Sequence, residues 1–302
     1  MVTLVIFVFG MLIGSFLNVC IVRIPAEESI VRPRSHCPVC QSSIKAFDNI
    51  PVLSWVVLGG RCRNCGTRIA ILYPAIEIVT GLLFVGVYRI FGITPAGLKW
   101  TIFACLILVL IVTDIRERVL PDAITFPGLG LGLALSVGTA PMDDFAQLLW
   151  GRAAHYIPPL AVLSFTDSVL GAAFGMLLLW IVRKGYFLWR GREGMGQGDI
   201  KMMMMAGAFL GVTNTFLTIL IGTLLGSLIG LSIIALLYMR GWKRRVAERA
   251  SRRGIGTISA LRYALASKYQ LPFGTFLGAG ALLVVFFGTS ALEWYFSVSS
   301  GR

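Results

Sequence analysis

Gly194-Met195-Gly196-Gln197-Gly198-Asp199-Ile200-Lys201 is a glycine-rich turn that delivers an aspartate to the mouth of an apolar run, residues 202–210. A carboxylate beside hydrocarbon costs about 2.5–3.5 kcal/mol even on insertion scales, so Asp199 needs a reason to be there. The glycines open backbone shapes closed to other residues and leave room for another segment to approach. Upstream, Asp114 likewise ends an apolar run, residues 100–113, and opens Asp114-Ile115-Arg116-Glu117-Arg118-Val119-Leu120-Pro121-Asp122. Two aspartates at two membrane-helix ends are the makings of an acid–base pair.

The whole chain supports that membrane setting. Of its 302 residues 57% are hydrophobic and 14% charged, and the mean hydropathy is +0.82. Such a composition excludes an ordinary soluble domain. Residues 1–22 carry no charge and are long enough to cross about 30 Å of hydrocarbon. They read as a first span rather than a cleaved signal, because the stretch has no basic residue in its first part and runs on through Gly14-Ser15-Phe16-Leu17-Asn18-Val19 to Arg23. Further spans are expected over 74–88, 100–113, 123–141 and 168–182. Residues 202–239 are uncharged, too long for one helix, and suit two with a turn at 211–215. A last span opens near Leu271. The fold class is therefore an all-α polytopic membrane protein of about eight transmembrane helices. Its parts are a first helix (1–22), a polar loop domain (23–73) and a membrane domain carrying both aspartates (74–302). Residues 142–167 read as an external insertion with an interfacial segment, and residues 183–193 as a basic loop. Asp122, after Pro121 and before an apolar run, reads as a helix N-cap. Met202 to Met205 read as core packing.

The polar loop holds Cys37-Pro38-Val39-Cys40 and Cys62-Arg63-Asn64-Cys65, two CxxC pairs with 21 residues between them. Each pair sets two thiolates on one tight turn, and two such turns facing each other make a tetrahedral Zn2+ site. Paired disulfides suit a reducing compartment poorly, and a redox CxxC has no need of a duplicate. A loop of this size has little core, so a bound metal supplies its folding energy. His36 beside Cys37 reads as a bystander.

A net charge of +13 raises the question of nucleic acid. Membrane topology answers it better. With the polar loop inside, 23 of the 27 Lys and Arg residues fall on the cytoplasmic side, as the positive-inside rule requires. The basic segment 240–268 then faces anionic membrane lipid, not nucleic acid. Both aspartates come out at cytoplasmic helix ends. Nothing in the sequence indicates an oligomeric state.

At these residues the chain resembles the type IV prepilin leader peptidase/N-methyltransferase family, intramembrane aspartyl proteases of the GxGD type. Gly196-Gln197-Gly198-Asp199 and the segment from Asp114 to Asp122 carry the resemblance, in order with four more motifs. These are Gly14-Ser15-Phe16-Leu17-Asn18-Val19 running on to Arg23, the four-cysteine loop, Tyr73-Pro74-Ala75-Ile76-Glu77 running on to Gly81, and Pro272-Phe273-Gly274. Thr275 stands where the last motif has a second proline. The resemblance implies that Asp114 and Asp199 are catalytic, and that Gly196, Gly198, Lys201, Pro272, Phe273 and Gly274 line the active-site loop. It implies cleavage of type IV prepilins or type II secretion pseudopilins after a glycine, in a bacterial inner membrane. It also implies methylation of the new N-terminus with S-adenosylmethionine, for which Gly14, Asn18, Arg23, Glu77 and Gly81 are the candidates. A plain helix-end role is the alternative for Glu77. The rivals from other classes are a transporter with Asp114, Asp199 and Glu77 as relay, and a structural zinc-loop scaffold. A relay favours midplane charges and internal repeats, and neither is visible.

Overall fold

The computed structural model describes residues 1–141, 145–153, 155–239 and 272–299. The basic segment 240–268 and the start of the last span at Leu271 lie outside the described residues. The described chain is helical: α1 (Val2–Arg23), α2 (Leu53–Val57), α3 (Leu72–Phe91), α4 (Pro95–Glu117), α5 (Asp122–Ser136), α6 (Phe145–Ala153), α7 (Leu160–Arg190), α8 (Gln197–Met239) and α9 (Phe273–Ser299). Among the described residues the only β pairing is two isolated bridges in the polar loop. Five helices, α1, α3, α4, α7 and α8, are long and apolar enough to cross a membrane, and α5 and α9 contribute shorter apolar helices.

α4 sits at the centre, with Phe103, Ile107 and Leu110 fully buried. Its start is set by Thr94, whose hydroxyl accepts from the Gly97 N–H at 3.1 Å, and by Pro95 in the first turn. Arg118 ends it in the left-handed conformation, φ 56°. α3, α5 and α9 pack on α4, while α8 packs against α5, α7 and α9. In a bilayer, close packing depends on small residues that let backbones meet. A Cβ on Gly10 would lie 2.8 Å from the Gly81 Cα, and one on Gly14 2.8 Å from the Glu77 Cα, so α1 lies directly on α3. Gly171 of α7 and Gly207 of α8 bring their backbones into contact in the same way, and Ser168 donates to the Ala208 carbonyl beside them. Met202, Met203 and Met205 are fully buried core, as expected.

α8 is broken at Gly211, whose φ of 78° and ψ of −177° interrupt the helix where the sequence calls for a turn. Three expectations are corrected. Residues 142–167, expected as an insertion with a segment inside it, hold α6 but end early, since α7 begins at Leu160. Residues 183–190, expected in a basic loop, continue α7. Asp167, the charge that set the end of the expected loop, is held inside: it and Lys99 of α4 are each 3% exposed and interact, with the Lys99 ammonium 5.0 Å from the Trp100 ring centre. Asp122 is also not an N-cap. It is the first residue of α5, the cap is Pro121, and no side chain there caps the helix N–H groups.

Candidate active site

Asp114 lies in the last turn of α4 and Asp199 in the first turn of α8, and both are buried, at 5% and 8% exposure. α9 joins them. A Cβ placed on Gly274 would sit 3.0 Å from Asp114 Oδ2, 3.0 Å from Asp199 Oδ1 and 3.0 Å from Leu120 Cδ1. The two carboxylate oxygens therefore lie within about 6 Å of each other, the range in which like charges resist joint ionisation. Glycine leaves this point open, and any side chain there would press on both carboxylates. Gly198 has the same duty, since its Cβ would lie 3.0 Å from Leu120 Cβ. Gly196 turns the chain into α8, and its missing Cβ would lie 3.6 Å from Asp199 Oδ2.

Thr275 completes the arrangement. Its N–H donates to Asp114 Oδ2 at 2.6 Å and its hydroxyl to the same atom at 3.0 Å. Pro272 directly precedes α9, and Phe273 is partly buried against the core. Lys201 does not reach either aspartate through a hydrogen bond or ion pair. Its ammonium pairs with Asp122, at 2.8 and 2.7 Å from the two carboxylate oxygens, tying α8 to α5 beside the site.

The second site is in the polar loop. Sγ atoms of Cys37, Cys40, Cys62 and Cys65 all lie within 4.8 Å of one another, with Cys37 to Cys65 at 3.8 Å and Cys40 to Cys62 at 4.0 Å. A tetrahedron with zinc–sulfur bonds of about 2.3 Å has edges of about 3.8 Å, so the thiols fit zinc. The two turns are near copies. Cys37 N–H donates to Ser42 O and Gln41 N–H to Cys37 O; Cys62 N–H donates to Thr67 O and Gly66 N–H to Cys62 O. The residue after each second cysteine is left-handed, Gln41 at φ 56° and Gly66 at φ 69°. The Ser42 backbone bond and then the Asn64 side chain hold the Cys40 thiol low, at about 6. Backbone bonds from Cys65 and Asn64 lower Cys62 as well. His36 bonds the Arg34 carbonyl and takes no part.

The remaining candidates line the joint between α1, α3 and this loop. Glu77 is 8% exposed and accepts the Val52 N–H at 2.7 Å, so it anchors the loop from the second turn of α3. Asn18 donates to the Tyr73 carbonyl at 3.1 Å, closing the base of the loop. Arg23, 7% exposed, donates to the Ser29 carbonyl at 2.8 Å and lines a cavity of about 310 Å³ with Val19, Arg34, Ser35, Ile44 and Asn49. Gly14 and Gly81 serve helix contact. Sequence reasoning passed over Thr275, Leu120 and the Val52 amide. The altered proline motif was the one visible signal for Thr275.

Fold and site together define a polytopic helical membrane protein with two buried carboxylates joined across three helix ends and a four-thiol loop beside them. Comparison with known proteins gives the family. The model of the bacterial peptidase A24 N-terminal domain matches residues 8–91, and that of the type IV leader peptidase family matches residues 101–231. A prepilin leader peptidase/N-methyltransferase of Burkholderia pseudomallei is 32% identical over 93% of this chain and 84% of its own. One from Bacillus subtilis is 30% identical over 98% and 99%. One from Myxococcus xanthus is 36% identical over 76% of this chain, and there the match spans 62% of the relative's length. The chain belongs to the prepilin leader peptidase/N-methyltransferase family. No solved structure matches it.

Proposed function

We propose that the chain is a bifunctional prepilin peptidase. It cleaves the leader of a type IV prepilin or type II secretion pseudopilin after a glycine, then methylates the exposed N-terminal amine with S-adenosylmethionine. The observation that carries the reading is the approach of Asp114 and Asp199 to one point beside Gly274. Two such carboxylates share a proton, so one is base and the other acid. The ionised partner takes a proton from water as the water oxygen attacks the scissile carbonyl, and the protonated partner donates to the carbonyl oxygen. Eight crossings follow if both halves of α8, α5 and α9 span the membrane. The positive-inside count then sets the pair and the thiol loop on the cytoplasmic face of a bacterial inner membrane. The domain limits 1–22, 23–73 and 74–302 belong to the same reading.

Zinc held by Cys37, Cys40, Cys62 and Cys65 supplies folding energy to the loop. S-adenosylmethionine supplies the methyl group, and Arg23 and Arg34 in the 310 Å³ cavity are suited to its carboxylate. Glu77, fixed beside the loop, is placed to accept a proton. The transporter rival lacks support, since the relatives are peptidases and the aspartates sit at helix ends. The test is detergent-purified protein incubated with a prepilin and labelled S-adenosylmethionine. Leader loss and label transfer support the reading, and the absence of both refutes it.

A further inference from the structure

Thr275 stands where the related motif has proline, and proline has neither an N–H nor a hydroxyl to give. In this chain both donors exist, and both meet one atom, Asp114 Oδ2, at 2.6 and 3.0 Å. The other acceptor near the hydroxyl, the Ile111 carbonyl, is 3.5 Å away, at the limit of a hydrogen bond. Thr275 is the third residue of α9, so its N–H is one of the four at a helix start with no partner inside the helix. Asp114 supplies that partner and sits at the positive end of α9.

Asp114 has particular need of this. It lies three residues before the end of α4, where its own helix presents carbonyl oxygens and disfavours a negative charge, offset in part by the nearby Arg118 cation. Asp199 has the opposite surroundings: it opens α8 at the favourable end and takes one backbone bond, from Gly196. Two donors converging on one carboxylate oxygen favour its charged form.

We propose that Thr275 is a positioning residue that holds Asp114 as the ionised, water-activating member of the pair and leaves Asp199 as the proton carrier. The inference rests on the two aspartates being the hydrolytic pair. Asp114 takes a proton from water while the oxygen–carbon bond forms, and Asp199 gives its proton to the carbonyl oxygen. As the gem-diol collapses, the carbon–nitrogen bond breaks and the nitrogen takes the proton from Asp114. One hydroxyl returns a proton to Asp199, so both groups end as they began.

The experiment compares full-length wild type, Thr275→Val, Thr275→Ser, Thr275→Pro and Asp114→Asn on a peptide spanning the leader junction, with melting temperatures measured alongside. Valine keeps shape and N–H but loses the hydroxyl. The expected result is a kcat about tenfold lower with KM within about twofold, the size of one hydrogen bond to a charged group. Serine should stay within about twofold of wild type, and proline should fall at least as far as valine. Wild-type kcat in Thr275→Val or Thr275→Pro overturns the assignment, and so does a serine variant as slow as valine at an unchanged melting temperature. Wild-type cleavage by Asp114→Asn removes the aspartate reading itself, and this inference with it.

Discussion

Gly274→Ala adds one methyl group between the two carboxylates. That methyl would lie 3.0 Å from Asp114 Oδ2, Asp199 Oδ1 and Leu120 Cδ1, where ordinary contact begins at 3.4 Å, so each neighbour must retreat by a few tenths of an ångström. Leu120 has rotamers to use. Asp114 does not retreat freely, because Thr275 holds its Oδ2 by two bonds. The carboxylates are therefore pushed away from the point they share. A misplacement of about 1 Å costs on the order of 100-fold in rate, so a few tenths at each group should lower kcat by about tenfold. Stability should change little. Overpacking costs about 1–3 kcal/mol, and alanine returns up to about 1 kcal/mol of helix propensity over glycine. The assay is leader-peptide cleavage by purified protein, with thermal unfolding as the control for fold. Gly130→Ala, where nothing lies within 4 Å of the added Cβ, should leave kcat at wild type and stability the same or slightly higher. Wild-type kcat in a natively stable Gly274→Ala would show that the carboxylates do not work at this distance.

Asp114→Asn and Asp199→Asn should each abolish leader cleavage while the protein still inserts, since asparagine keeps the size and cannot cycle a proton; substantial activity in either moves the chemistry elsewhere, Asp122 being the first place to look. Metal analysis should find one zinc per chain, lost on replacing the four cysteines with serine. Because zinc binds the thiolate forms, protons compete with it for the four sulfurs, so acid titration should release zinc and chelation should expose the loop to protease. Glu77→Gln keeps an oxygen acceptor for the Val52 N–H and removes only the charge, so cleavage should survive while label transfer from S-adenosylmethionine falls at least tenfold; equal loss of both activities would make Glu77 purely structural.

Much of this was legible in the sequence, for reasons specific to each residue. Asp199 and Asp114 stand out because hydrocarbon makes a carboxylate expensive. The four cysteines stand out because spacing alone builds two copies of one turn, which the backbone bonds repeat. Gly211 stands out because 38 uncharged residues exceed one crossing. The bounds of α7 were not legible. A charge normally ends a span, but Asp167 and Lys99 compensate each other inside the bundle, and no local pattern announces a partner 68 positions away in the chain. Asp122 misled for the same reason, its partner Lys201 being 79 residues distant. Thr275 and Asp114 are 161 apart, and a proline replaced by threonine says only that two donors have been gained, not where they go.

The placement of these parts gives a physical reason for two activities to separate. The thiol loop is fastened at its base by Asn18 to Tyr73 and at its middle by Val52 to Glu77. Both anchors belong to α1 and α3, which meet through Gly10, Gly14 and Gly81. Val52 is held at φ 60°, an uncommon conformation for a β-branched residue, so the loop accepts strain to make that bond. The carboxylate pair is assembled from α4, α8 and α9, whose close approaches use Gly274, Gly278 and Gly222. α4 is the main contact between the groups, touching α1 and α3 on one side and α9 on the other. Damage to the loop or to Glu77 therefore reaches the carboxylate pair mainly through α4, with a smaller direct contact from α3 to α9 where Gly86 meets Phe286. The interior of α4, with Phe103, Ile107 and Leu110 fully enclosed, is the part of the fold least able to yield. A fault in the thiol loop should stay on its own side of α4, which is why leader cleavage should outlast methyl transfer when the metal or Glu77 is removed.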